Sequence, residues 1–349
     1  MDRHLRARLQ AACGLLAVAL ALSSACGGAA GEEIGSRLIL GAYTTPREAY
    51  GELIPLFQSH WESQGGQPVT FEESYLGSGA QSRAIMEGFE ADVAALSLEA
   101  DVERIAEAGL ITHDWRTAPH GGMVSTSIVA FAVRSGNPQA IQDWADLARP
   151  GIEVLTPNPR TSGGAMWNIL GLYGAALRGG VQGVPAGDEV AASEFLKAVL
   201  RNLSVMDKSA RDSMTTFENG VGDVAITYEN EVLVGQQAGQ DYELVIPRST
   251  LLIENPVALV DEYVDQHGVR LAAEAFVAFL FTPEAQEVFA RHGLRSPDAG
   301  AAASTASLYL PVPDLFTITD QFGGWESATP RFFGDQGILT LAIIEVQGE

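Results

Sequence analysis

Short runs of aliphatic and β-branched residues alternate with longer runs whose apolar residues recur at helical spacing along most of the chain. This pattern predicts strands that are each followed by a helix. The predicted strand and helix pairs are 38–43 with 46–63, 69–75 with 81–89, 91–97 with 102–108, and 152–155 with 165–177. Further strands are expected at 127–134, 203–206, 223–228 and 242–246. The alternation indicates an α/β fold, and 349 residues favour two lobes.

Two consecutive helices are predicted near the C-terminal end of the pattern, at 270–281 and 283–292. We expect four apolar side chains of the first helix to face a core. They are Leu271, Ala275, Val277 and Leu280.

The stretch 156–168 is the most informative segment for function. Its two prolines exclude a helix, so the amphipathic helix expected over 165–177 begins near Ser162. Gly163 and Gly164 have no Cβ and let a ligand reach backbone N–H groups that have no partner inside the helix. With the positive end of the helix dipole, these groups form a site for a tetrahedral oxyanion without Lys or Arg. An ordinary capped turn is the alternative.

Two other loops repeat this arrangement. Ser78 and its following glycine open the helix predicted at 81–89, and Ser213 precedes a short helix at 214–218. Tyr228 ends the strand that follows. In open α/β sheets ligands bind at the carboxyl ends of strands, where such loops lie. Each loop alone is explained by a plain cap, but their recurrence favours one shared site.

The first 25 residues have the features of a signal peptide of the lipoprotein type, with arginines before an uncharged stretch and small residues before Cys26. We expect lipid attachment at Cys26 and a flexible tether over 26–36. A secreted protein cleaved within 27–31 is the alternative. The only other cysteine, Cys13, lies in the signal, so the mature fold has no disulfide.

Acidic residues outnumber basic ones by 44 to 21, and the formal net charge is −23. Nucleic acid and anionic membrane surfaces are therefore poor partners. An anion can still bind where local dipoles outweigh the overall field. Such a site would depend on oriented N–H groups rather than on cationic side chains.

A series of short motifs follows along nearly the whole mature chain. They are Tyr43 with Arg47 to Tyr50, Gly77 to Gly79, Glu90 to Val93, Thr156 to Pro159, Thr161 to Ala165, Trp167 with Asn168, Gly222 to Val224, Glu229 to Glu231, Asn255 to Ala258, Thr282 to Gln286, and Phe322 to Trp325. In this order they resemble the bacterial sulfate-binding proteins, which serve ATP-driven importers of sulfate and thiosulfate.

The resemblance implies a two-lobed periplasmic binding protein type II fold with an anion site in the cleft between the lobes. It implies a dehydrated sulfate held by neutral hydrogen-bond donors. The implied ligand-binding residues are Thr44, Ser78, Ser162, Gly163, Gly164, Ser213 and Tyr228. Two of them depart from the family pattern, which often has aspartate in place of Thr44 and tryptophan in place of Tyr228.

The resemblance also implies how the chain divides. One lobe is expected from 37–127 with 255–315, the other from 128–254, and the segment 316–349 is expected to pack on the lobes. Ser127 to Arg134 and Leu244 to Glu254 are candidate crossovers about which the lobes would close on the anion.

The expected function is capture of sulfate or thiosulfate outside the cell membrane and delivery to an ABC permease and ATPase. We expect a monomer in the periplasm or at the cell surface, held to the membrane only by its lipid, with no cofactor, metal or nucleic acid. Two alternatives are an anion-sensing receptor and a protein for molybdate or phosphate. Because sulfate carries no proton at neutral pH and phosphate does, donor-only sites favour sulfate. A phenol at Tyr228 can also accept a hydrogen bond and relax that preference, unless Tyr228 is only a wall residue.

A secreted enzyme is the least favoured class. The sequence contains no Gly-x-Ser-x-Gly elbow and no His-Glu-x-x-His helix. Glu229 and Glu231 are two residues apart, so at a strand end they would share a face, and a paired-carboxylate site is conceivable there.

Overall fold

The computed structural model describes residues 36–348. Its first part consists of three strand and helix pairs. They are β1 (Ser36–Tyr43), α1 (Arg47–Ser63), β2 (Val69–Leu76), α2 (Ser78–Met86), β3 (Val93–Ala95) and α3 (Glu99–Glu107). β1 pairs in parallel with both β2 and β3, which the intervening helices allow by crossing over the sheet.

The middle of the chain repeats this alternation between two long strands. Its elements are β4 (Met123–Arg134), β5 (Val154–Leu155), α4 (Gly163–Leu177), α5 (Glu189–Leu200), β6 (Leu203–Val205), α6 (Ala210–Glu218), β7 (Val224–Tyr228), α7 (Glu229–Gln237), β8 (Tyr242–Val245) and β9 (Ser249–Leu259). β5 pairs in parallel with β6 and β7.

The remaining chain is mainly helical. It contains α8 (Asp261–His267), α9 (Arg270–Leu280), α10 (Pro283–Arg291), α11 (Ala299–Thr305), β10 (Asp314–Phe316), α12 (Ile318–Phe322), α13 (Trp325–Phe333) and α14 (Ile338–Gln347). α13 packs against α4, where Trp325 meets Trp167 edge to face at a centroid distance of 4.6 Å, and Phe332 meets Tyr173 at 5.0 Å.

Neighbouring strands are hydrogen-bonded in the order β2-β1-β3-β9-β4-β7-β5-β6. In addition, β10 pairs with β9 and β8 pairs with β4. β4 and β9 are antiparallel to each other and connect the two parallel groups of strands. One apolar core lies around β1 to β3, α1, α9 and α10, and another lies around α4, α5 and the C-terminal helices. We call these regions the first lobe and the second lobe. The α/β, two-lobed fold is confirmed, while the predicted lobe limits stay a prediction.

Two sequence expectations about helices are wrong. α4 is not amphipathic, because every residue from Gly163 to Ala176 is buried between the sheet and neighbouring helices. In α9 the expectation is wrong for Leu271, which is 77 % exposed, and right for Leu280, which is buried. Ala275 and Val277 are partly buried against the same core. Both segments are apolar at most positions, so their periodicity does not define which face is buried.

The predicted signal peptide, Cys26 and most of the tether lie outside the described residues, but Ser36, the last tether residue, belongs to β1. Among the helices within 36–348, none is long and apolar enough to cross a membrane.

Candidate functional site

The loops that precede α2, α4 and α6 lie against one another. The Ala80 N–H, in the first turn of α2, donates to the Thr161 carbonyl at 3.1 Å. The Thr161 hydroxyl in turn donates to the Lys208 carbonyl at 2.8 Å. A Cβ on Gly77 would lie 2.5 Å from the Thr161 oxygen and 2.7 Å from the Lys208 oxygen. The glycine therefore lets three helix starts approach one another, and the first N–H groups of each start have no partner inside their own helix and lie at a positive dipole end.

Ser162 is the N-cap residue of α4. Its N–H donates to the Asn158 carbonyl at 2.9 Å, and its side chain makes no capping hydrogen bond. Gly163 and Gly164 are the first two helical residues, so no helical carbonyl is available to their N–H groups. The helix start predicted from the sequence is confirmed to within one residue.

Close packing explains the two glycines. A Cβ on Gly163 would lie 2.6 Å from Ser97 Oγ, and a Cβ on Gly164 would lie 2.9 Å from the Tyr228 ring. Ser97 and Leu98 follow β3 of the first lobe, and Gly163 begins α4 of the second lobe. Only glycine allows these lobes to meet at this distance.

Tyr228 ends β7 beside the start of α4. Its ring is 1 % exposed, and its hydroxyl lies 2.6 Å from Ser97 Oγ. Burial is the largest cause that raises the pKa of the Tyr228 phenol above its usual value, so the hydroxyl is neutral. Tyr43 packs against Tyr228 with ring centroids 6.2 Å apart.

The hydroxyl of Ser78 is already engaged. It donates to a carboxylate oxygen of Asp101 and accepts from the Ser97 N–H at 2.9 Å. The groups that remain available at this helix start are the backbone N–H groups of Ser78 and Gly79, because they begin α2.

Ser213 does not begin a helix, contrary to the expectation from the sequence. α6 starts at Ala210, and Ser209 is its cap, with Oγ accepting from the Asp212 N–H at 3.1 Å. The Ser213 N–H donates to the Ser209 carbonyl, and Ser213 Oγ is buried without a partner among residues 36–348. The N–H groups at this start belong to Ala210 and Arg211. The Ser-x-x-Asp spacing at 209–212 is a capping signal that could have located it.

Thr44 is half-buried in the turn between β1 and α1, where its carbonyl accepts from the Arg47 N–H at 3.4 Å. The preceding residue is Tyr43, which contacts Tyr228. Thr44 therefore lies on the first-lobe side of the same region.

Glu229 and Glu231 do not form a carboxylate pair. Both lie in the first turn of α7, where residues two apart point to different sides. Glu229 binds Arg295, whereas Glu231 binds Arg211 at 2.6 Å. Arg211 also binds both oxygens of Glu48, at 2.5 and 2.9 Å. Burial raises the pKa of Glu229 and of Glu231, although the arginines oppose that effect.

Residues 38–295 match the model of a family described as bacterial extracellular solute-binding protein. The chain belongs to the bacterial extracellular solute-binding proteins. It is 41 % identical over 343 residues to a sulfate-binding protein of Synechococcus elongatus, and the match covers 95 % of each chain. It is 36 % identical over 330 residues to a thiosulfate-binding protein of Pseudomonas aeruginosa, covering 93 % of this chain and 96 % of that one.

This solute-binding protein also resembles the solved structure of the sulfate-binding protein SubI from Mycobacterium tuberculosis. The two share 37 % identity with a TM-score of 0.77, over 85 % of this chain and 99 % of that one. The resemblance drawn from the sequence motifs is thus confirmed at the level of the family. The individual ligand-binding residues stay predictions.

Proposed function

We propose that this protein captures sulfate, or the related dianion thiosulfate, outside the cell membrane and delivers it to the permease and ATPase of an ABC importer. The observation that carries the proposal is the meeting of three helix N-termini at the lobe boundary. Such termini stabilise a buried anion through N–H groups and dipoles, which suits a protein whose net charge is −23. The names of its relatives supply the ligand class.

The proposed donors come from both lobes. They are the N–H groups at the starts of α2, α4 and α6, the hydroxyls of Ser162 and Ser213, and the phenol of Tyr228, with Thr44 closing the first-lobe side. Ser213 Oγ supports this set because a buried hydroxyl without a protein partner is costly unless a ligand binds it.

The protein is further proposed to be a monomer held at the membrane by a lipid on Cys26. The cysteine follows an uncharged stretch and small residues, and residues 27–35 separate it from β1.

Titration calorimetry in sulfate-free buffer tests the function. The protein is titrated with sulfate, thiosulfate, molybdate and phosphate, with chloride as the control. Tightest binding of sulfate or thiosulfate at one site per chain is expected. Tightest binding of molybdate or phosphate would replace the proposed ligand, and no binding of any anion would remove the proposal.

A further inference from the structure

Ser97 joins the two lobes at the start of α4. Its Oγ lies 2.6 Å from the Tyr228 hydroxyl, across 131 residues of sequence. The Trp167 indole N–H donates to the Ser97 carbonyl at 3.0 Å and to Ser97 Oγ at 3.2 Å. The Asn255 side chain also donates to this carbonyl, at 3.2 Å. Ser97 and Tyr228 are each 1 % exposed, so water does not replace these bonds.

Only one of the Ser97 and Tyr228 hydroxyls can donate the hydrogen of the bond between them. Each has one hydrogen and two lone pairs, and Ser97 Oγ already accepts from Trp167. When Ser97 donates to Tyr228, the phenol hydrogen is left to donate to a ligand oxygen. When Tyr228 donates to Ser97, the phenol oxygen keeps a lone pair that can accept, and the Ser97 hydrogen is left as a donor.

We infer that Ser97 is a specificity-determining residue, because it takes the Tyr228 hydrogen and so lets the phenol oxygen accept the proton of a monoprotonated tetrahedral oxyanion. The inference rests on the proposed function and adds a second ligand class to the same site. Sulfate uses the arrangement in which Tyr228 donates to the ligand. Monohydrogen phosphate uses the reversed arrangement, which a site made only of donors cannot offer.

The geometry makes Ser97 necessary for the second arrangement. A Tyr228 that accepts from the ligand must place its own hydrogen on another acceptor, and Ser97 Oγ lies at hydrogen-bond distance. Ser97 Oγ is the partner of the Tyr228 hydroxyl within residues 36–348, so without it either the phenol hydrogen or the ligand proton is buried without a partner from that part of the chain. The Trp167 indole N–H still donates to the Ser97 carbonyl when the Ser97 hydroxyl is removed, so the indole keeps a hydrogen-bond acceptor.

The test compares affinities for sulfate and phosphate by calorimetry in wild type and Ser97→Ala, with selenate as a second dianion that carries no proton. The wild type is expected to bind phosphate measurably. Ser97→Ala is expected to lower the affinity for phosphate by a factor at least about ten times larger than the factor by which it lowers the affinity for sulfate or selenate. Tyr228→Phe removes the phenol oxygen as an acceptor but leaves the Ser97 hydroxyl as a donor. This variant is also expected to lower the ratio of phosphate affinity to sulfate affinity. Ser296→Ala is the matched control, since its buried hydroxyl bonds Gln286.

The outcomes separate the two proposals. A wild type that binds sulfate but no phosphate overturns the inference and leaves the proposed function standing. So does an unchanged ratio of phosphate to sulfate affinity in folded Ser97→Ala. If Ser97→Ala does not fold, an unchanged ratio in Tyr228→Phe overturns the inference equally. A wild type that binds neither dianion overturns the proposed function, and the inference with it.

Discussion

Arg295 holds the carboxylate of Glu229 with two parallel hydrogen bonds, from Nε to Oε2 at 2.6 Å and from Nη2 to Oε1 at 2.8 Å. Arg295 follows α10 of the first lobe, and Glu229 begins α7 of the second lobe. The Glu229 side chain is fully buried, while that of Arg295 is 20 % exposed. The pair therefore joins the lobes, and the Arg295 backbone also forms a bridge with Thr126 of β4.

Removing one member of this pair should destabilise the fold. Arg295→Met leaves the Glu229 carboxylate buried without its partner, and we expect a loss of about 3–5 kcal/mol in the free energy of unfolding. Adding Glu229→Gln to this variant should recover part of the loss. Arg37→Met is the control, because its pair with Glu72 is more than half exposed and should contribute about 0–1 kcal/mol. Denaturant unfolding is measured for the wild type, the two single arginine variants and the double variant. Equal losses of unfolding free energy in Arg295→Met and Arg37→Met would contradict this prediction.

Gly163→Ala should prevent the lobes from meeting without unfolding either lobe. Its Cβ would lie 2.6 Å from Ser97 Oγ and 2.8 Å from Leu98 Cγ, on the segment that follows β3 of the first lobe. We expect sulfate affinity to fall about 5- to 150-fold, from an overpacking cost of about 1–3 kcal/mol. The melting temperature without sulfate should change little, because separation of the lobes relieves the clash.

Gly51→Ala is the matched control for this substitution. Gly51 lies in α1, and a Cβ there would meet nothing within 4 Å. This variant should gain about 0.5–1 kcal/mol in the free energy of unfolding and keep its sulfate affinity. Calorimetry and thermal melting apply to both variants. Full sulfate affinity in Gly163→Ala would show that the contact with Ser97 is not part of the bound state.

Glu254→Gln should stabilise the protein at neutral pH. Burial raises the pKa of the Glu254 carboxyl, and the nearby carboxylates of Glu99 and Asp320 raise it further. A raised pKa in the folded state means that the folded protein binds more protons, so stability falls as pH rises above the usual value of 4.5.

The gain in stability from Glu254→Gln should therefore be present at pH 7. It should be absent below about pH 4, where the glutamate of the wild type is neutral like the glutamine of the variant. Melting temperatures at the two pH values test this, with the exposed Glu87→Gln as the control. A gain of equal size at both pH values would mean that charge is not its cause.

The helix starts show what the sequence could and could not predict. Two prolines and a following apolar run predict the start at Ser162 to Gly164, and both are local signals. The third start lies at Ala210 and not at Ser213, because Ser209 caps the helix through the Asp212 N–H. Ser97 belongs to none of the sequence motifs, and its contact with Tyr228 spans 131 residues. Partners that far apart in sequence are set by tertiary packing.

Cys26→Ser should release the exported protein from the membrane fraction, because the lipid is its only proposed attachment. Fractionation of cells that express each form measures this, and Cys13→Ser is the control since that cysteine lies inside the predicted signal. A Cys26→Ser protein that stays with the membranes would contradict lipid attachment at this residue.

The proposed function places one sulfate between the lobes, at the starts of three helices. A crystal structure of the protein with sulfate, grown at a concentration at which calorimetry shows one ion per chain, tests it most directly. We expect a single sulfate with oxygens about 2.7–3.2 Å from the backbone nitrogens of Gly163 and Gly164, and with further donors from the first turn of α2 or α6. A sulfate bound elsewhere, with these N–H groups turned away from it, would contradict the claim.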